Sequence, residues 1–162
     1  MELLSPPHNR EAFDCGVPVL NSYLQKLARQ EMERRAAIPY VLVPSDNPTE
    51  IVGFYTLSST AIRLQDLPDD LVKRLPRYPT VPATLIGRFA IHQAHHGKRL
   101  GERLLIDALK RSLDASETVG AVAVIVDAKD YKGAEFYERY GFKRFTDSPF
   151  RLFIPMKTIA ML

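Results

Sequence analysis

Leu85-Ile86-Gly87-Arg88-Phe89-Ala90-Ile91, followed by His95-His96-Gly97-Lys98-Arg99-Leu100-Gly101, decides how the rest of the chain is read. A run of bulky apolar residues, a turn holding two glycines and an apolar-striped segment from about Lys98 spell strand, turn and helix. The first turn of such a helix leaves backbone N–H groups unpaired, and the helix dipole adds positive potential there. Gly97 and Gly101 let an anion approach the backbone, and Lys98, Arg99 and Arg103 add full charges, so the turn suits a phosphate. Strand, glycine turn and helix also meet at many buried corners for steric reasons alone, and the motif needs support from elsewhere in the chain.

At 162 residues the chain fits a single domain, 1–162, with a core of its own. No stretch approaches the roughly eighteen apolar residues of a membrane helix. Met1-Glu2-Leu3-Leu4-Ser5-Pro6-Pro7 has neither the basic start nor the apolar run of a signal peptide, which leads us to expect a cytoplasmic protein. The single Cys15 forms no internal disulfide, in keeping with a reducing compartment, and reads as a small buried hydrophobe. Net charge is only +3, but Lys73, Arg74, Arg77, Arg88, Lys98, Arg99 and Arg103 crowd the middle third. They read equally well as an anion-binding track or as a solvated face.

Val17, Leu20, Leu24, Leu27 and Ala28 recur at helical spacing, which predicts one amphipathic helix over 17–33 with Pro18 in its first turn. Ile38 to Val43 and Ile51 to Ser58 read as a hairpin about the Ser45-Asp46-Asn47-Pro48 turn. Leu67 to Leu75 reads as a short helix opened by acids, and Pro76, Pro79 and Pro82 as an extended connector that reaches the central strand near Ala83. Leu100, Leu104, Leu105, Ala108, Leu109 and Leu113 stripe the longest helix. A strand over 120–126, a helix over 130–139 stopped by Gly141, and strands over 142–145 and 150–156 complete an α/β (α+β) order: a mixed, mostly antiparallel sheet flanked by helices.

Two blocks then carry a resemblance: His96-Gly97-Lys98-Arg99-Leu100-Gly101, and Ala134-Glu135-Phe136-Tyr137-Glu138-Arg139-Tyr140-Gly141-Phe142. Together with the central strand they resemble the acetyl-CoA-binding core of the GNAT N-acetyltransferases, over about residues 83–145. In that family the turn follows a Gln/Arg-x-x-Gly-x-Gly/Ala pattern, so His96 stands in the Gln/Arg place, Arg99 replaces the first glycine, and Gly101 matches. A left-handed residue at Arg99 would cost about 1–2 kcal/mol. An arginine–phosphate pair could offset that cost. Phe13-Asp14-Cys15-Gly16, Leu20-Asn21-Ser22-Tyr23-Leu24, Gly53-Phe54-Tyr55-Thr56-Leu57-Ser58 and Leu75-Pro76-Arg77-Tyr78-Pro79-Thr80-Val81-Pro82 extend the resemblance to the GNAT toxins of bacterial toxin–antitoxin modules.

That resemblance implies acetylation of the α-amino group of aminoacyl-tRNA, neutralisation by a ribbon-helix-helix antitoxin, and a homodimer. It implies acetyl-CoA contacts from Phe89, Ala90 and Ile91 and from His96, Gly97, Lys98, Arg99, Leu100, Gly101 and Glu102. Tyr137 is implied as the acid that protonates the departing thiolate, with Tyr140 taken as structural. A phenol with a pKa near 10 can donate that proton while staying protonated at neutral pH. An α-amine of pKa near 7.7 is roughly 15% neutral at pH 7, against about 0.04% for a lysine, so such an acceptor needs no strong base. Glu135 and Glu138 read as solvated helix charges. Arg74, Arg77 and Arg88 are the candidate tRNA contacts, with Lys73, Lys98, Arg34 and Arg35 behind them. His92, His95 and His96 lack a cysteine, a nearby acid and a second ligand group, so no metal is expected and they read as anion contacts or loop caps. The alternatives are acetylation of a small amine or protein N-terminus, or an inactive acetyl-CoA-binding or interaction module.

Overall fold

The computed structural model describes all 162 residues. Seven strands form one sheet in the order β1-β2-β3-β4-β5-β7-β6. They are β1 (Glu2–Leu3), β2 (Ile38–Leu42), β3 (Gly53–Arg63), β4 (Thr80–Ile91), β5 (Ala123–Asp127), β6 (Lys143–Phe145) and β7 (Ser148–Pro155). The helices are α1 (Pro18–Lys26), α2 (Ala28–Glu33), α3 (Asp69–Val72), α4 (Leu100–Ser116), α5 (Tyr131–Glu138) and α6 (Met156–Ile159). The sheet is mixed: β4 and β5 run parallel, with Ile86 opposite Val126, while β5–β7, β6–β7 and β2–β3 are antiparallel. No helix is long and apolar enough to cross a membrane. By contact the chain forms two compact units, Met1–Ser58 with Gly87–Ala108, and Ser59–Ile86 with Leu109–Leu162.

In the first unit, Phe13, Tyr23, Leu24, Ala28, Val41, Ile51 and Phe54 build the core. The single helix expected over 17–33 is two helices that bend at Leu27, whose φ of −115° departs from helical values. Eight residues of straight helix span about 12 Å. The bend lets the Tyr23 hydroxyl donate to Glu31 Oε1 at 2.7 Å while Ala28 is fully buried. Strand β1, which pairs Leu3 with Tyr40, is too short to leave a period in the sequence.

In the second unit, Ile62, Val81, Ala83, Ala123, Ile125, Phe145 and Phe153 make a core on which Leu71, Val72 and Leu75 pack. The connector turns into strand at Thr80 rather than Ala83. Pro82 has no N–H to give, but its carbonyl accepts Val122 N–H at 2.9 Å, and Val81 and Ala83 on either side are buried. Strand β3 likewise outruns the Ser58 expected as its end, because Ile62 keeps an inward position after the polar Ser58-Ser59-Thr60. Asp130 caps α5, its Oδ1 accepting Gly133 N–H at 2.8 Å, and Gly141 takes a φ of +99° as the helix stop requires.

Candidate active site

The turn after β4 owes its shape to two left-handed residues, Gly97 at φ +82° and Arg99 at φ +57°. Neither value is helical, which is why α4 begins at Leu100 and not at Lys98. Space does not demand glycine at 97, since a Cβ there would meet nothing within 4 Å; the backbone conformation does. Leu100, Gly101 and Glu102 form the first turn of α4, where N–H groups lack intrahelical acceptors, and Lys98, Arg99 and Arg103 are exposed around it. A strained turn, free amides and exposed cations together fit a pyrophosphate.

The histidines brace this turn. His96 Nε2 donates to Ile91 O at 2.9 Å, folding the ring back onto the end of β4, and His92 Nδ1 accepts Ala94 N–H at 3.1 Å. His95 Nε2 lies 3.2 Å from Glu50 Oε1 and its Nδ1 3.3 Å from Lys98 Nζ, which a neutral ring protonated on Nε2 satisfies at both ends. Loop capping is therefore what these rings do, and no group of three His, Cys, Asp or Glu residues is placed to hold a metal.

Behind the histidines sits a residue to which the sequence assigned no role. Asp14 Oδ1 accepts Gly16 N–H at 2.9 Å and Asn21 Nδ2 at 3.0 Å, its Oδ2 accepts Gln93 Nε2 at 2.8 Å, and its carbonyl accepts Gln93 N–H. The Gly16 amide first, then the Asn21 amide, hold its carboxyl below the ordinary value. Asp14 thus ties the Phe13-Asp14-Cys15-Gly16 block to the residues that lead into the turn.

Along β4, Arg88 N–H donates to Thr56 Oγ1 at 3.0 Å, and the Arg88 guanidinium lies over the Tyr23 ring, 4.2 Å from its centroid. Burial, and then the Glu31 hydrogen bond, raise the Tyr23 pKa, so the phenol stays protonated beneath that cation. Arg88 is half-buried and pre-oriented. Ala90 is buried and Phe89 and Ile91 half-buried on the same strand. The close passage of β3 shows at Gly53, where a Cβ would stand 3.1 Å from Ala90 O and 2.7 Å from Ile91 Cδ1.

The second unit holds the remaining candidates. Tyr137 is 8% exposed, between Phe136 and Phe142 at centroid distances of 5.2 and 5.4 Å, and desolvation alone raises its pKa. Tyr140 packs on Phe136 at 5.2 Å. Glu138 pairs with Arg144 at 2.7 Å, and Glu135 is exposed. Arg74 and Arg77, in the connector after α3, are exposed.

Residues 40–144 match the acetyltransferase (GNAT) domain. The chain belongs to the GNAT acetyltransferase family. Among its relatives, the probable toxin TacT of Sinorhizobium fredii is 29% identical, over 96% of this chain and 89% of its own. A tRNA-acetylating toxin of Mycobacterium tuberculosis is 30% identical, over 93% of this chain and 88% of its own. Two solved structures share this GNAT fold. AtaT complexed with acetyl-methionyl-tRNAfMet superimposes at a TM-score of 0.91 with 27% identity, covering 99% of this chain and 96% of that one. AtaTR bound with AcCoA gives 0.84 with 26% identity, covering 99% and 95%.

Proposed function

We propose that residues 1–162 are one acetyltransferase domain that moves the acetyl group of acetyl-CoA onto the α-amine of aminoacyl-tRNA, and so stops translation. The observation that carries this reading is the likeness, over 99% of the chain, to a toxin solved with acetyl-methionyl-tRNAfMet. When bound, acetyl-CoA supplies the activated acyl group. The amides of the first turn of α4, with Gly97, Lys98 and Arg99, would hold its pyrophosphate, and the β4 backbone at Phe89, Ala90 and Ile91 its pantetheine arm. His96 would keep the turn in register, and Glu102 would lie at its helical end.

Tyr137 would keep its proton on the phenolic oxygen, as its raised pKa favours, and pass it to the departing thiolate. Arg74, Arg77 and Arg88 would meet tRNA phosphates. A charged-tRNA α-amine is neutral often enough at pH 7 to attack without a strong base. The same reading places the enzyme in the cytoplasm as a homodimer held in check by a ribbon-helix-helix antitoxin. Induced expression of the wild-type chain in a bacterial host should arrest growth, and Tyr137→Phe should relieve the arrest at equal protein level. Arrest that persists in that variant contradicts a chemical origin of toxicity.

A further inference from the structure

Arg88 is a half-buried cation with no counter-ion in contact. Its backbone N–H is taken by Thr56 Oγ1, but its guanidinium makes no hydrogen bond and no ion pair within the protein. What it has is a ring: the guanidinium carbon stands 4.2 Å from the centroid of Tyr23, which is only 2% exposed. That ring is fixed in turn. Phe54 lies nearly parallel to it, with centroids 6.3 Å apart and planes 12° from each other, and the Tyr23 hydroxyl donates to Glu31 Oε1 at 2.7 Å. Glu31 reaches the hydroxyl because the chain bends at Leu27 between α1 and α2.

A carboxylate placed directly against Arg88 would neutralise the charge and also occupy the donors along the edge of the guanidinium. Here the negative charge sits one phenol away. The ring takes the face of the cation, and the N–H groups, which radiate in its plane, stay free. Because the phenol donates to a carboxylate, its ring gains electron density and holds the cation more firmly. An arginine on the open surface, such as Arg74 or Arg77, must give up rotamer freedom when it meets an anion, whereas Arg88 has given it up beforehand. We propose that Tyr23 and Glu31 are positioning residues for tRNA binding: they hold Arg88 by its face, so that its free row of N–H donors meets a phosphate of the incoming tRNA. The inference rests on the reading of Arg88 as a tRNA contact. It gives the bend at Leu27 a task, that of bringing Glu31 under the ring that carries Arg88.

A double-mutant cycle on the full chain separates positioning from packing. Arg88→Ala should raise KM for charged tRNA about tenfold, and Tyr23→Leu, which removes the ring, should raise it about fivefold, both with kcat and acetyl-CoA affinity unchanged. Tyr23→Phe and Glu31→Gln, which keep the ring and remove only the charge behind it, should each raise KM about twofold. Melting curves identify the folded variants, and if Tyr23→Leu does not fold the two conservative variants carry the cycle. Combined with Arg88→Ala, none of these changes should raise KM further. In the wild-type NMR spectrum the Arg88 Nε–H proton should be shifted upfield by the Tyr23 ring, and the shift should survive in Tyr23→Phe. KM values that multiply in the combined variants, folded Tyr23 and Glu31 variants with wild-type KM, or an unshifted Arg88 signal would overturn the inference, while wild-type transfer to charged tRNA would leave the enzymatic reading standing. A wild-type chain that transfers nothing to charged tRNA would refute that reading, and the tRNA role of Arg88 with it.

Discussion

The turn after β4 and the helix that carries Tyr137 are held by opposite means. Around Gly97 and Arg99 the structure relies on directed polar contacts, from the Asp14 carboxylate through the histidine caps to exposed cations. Around Tyr137 it relies on burial among aromatic rings. The difference suits the tasks proposed for the two regions. A cradle for a multivalent anion must keep amides and charges in contact with water until the ligand arrives, whereas a proton donor is best kept neutral by a dry surrounding.

The largest effect should come from the dry side. Tyr137→Phe removes one oxygen and keeps the packing, so the turnover rate should fall by about 10²–10⁴-fold with acetyl-CoA affinity unchanged in calorimetry. A parallel loss of affinity would show that the phenol acts in binding. Because desolvation raises its pKa, the wild-type pH–rate profile should show no falling limb from this phenol below its ordinary value of 10.0.

Arg99→Gly probes the polar side. Relief of left-handed strain, about 1–2 kcal/mol, is opposed by glycine's added chain entropy of roughly 0.5–1 kcal/mol, leaving stability equal or raised by at most about 1.5 kcal/mol. Acetyl-CoA affinity should nonetheless drop about tenfold through the lost phosphate pair. Unchanged affinity would show that the amides alone hold the anion.

Arg74→Glu with Arg77→Glu should raise KM for charged tRNA several-fold at low salt, less at high salt, while acetyl-CoA binding persists. Equal loss of both would contradict separate binding surfaces.

Asp14→Ala should show the smallest change, a lowered melting midpoint at pH 7. Since the folded carboxyl titrates below its ordinary value of 3.8, its contribution is present above that pH and lost as pH falls through the folded value. The gap between wild type and variant should therefore close in acid, and a gap independent of pH would assign Asp14 a purely steric role.

Much of this was legible in the residues. The apolar runs and stripes placed both central strands and α4, and the left-handed place at Arg99 followed from its substitution for a family glycine. The bend at Leu27 was not legible, because apolar spacing continues through it and only the Tyr23–Glu31 contact explains it. Nor were the partners of Asp14 and Arg88, which lie at sequence separations of up to 79 residues that no local pattern encodes.

The most direct measurement incubates the purified chain with labelled acetyl-CoA and a mixture of charged tRNAs, then digests the RNA and identifies the labelled species by mass. The account predicts N-acetyl-aminoacyl-adenosine carrying the label, absent when the tRNA is uncharged. Label found only on protein or small amines, with charged tRNA untouched, would contradict it.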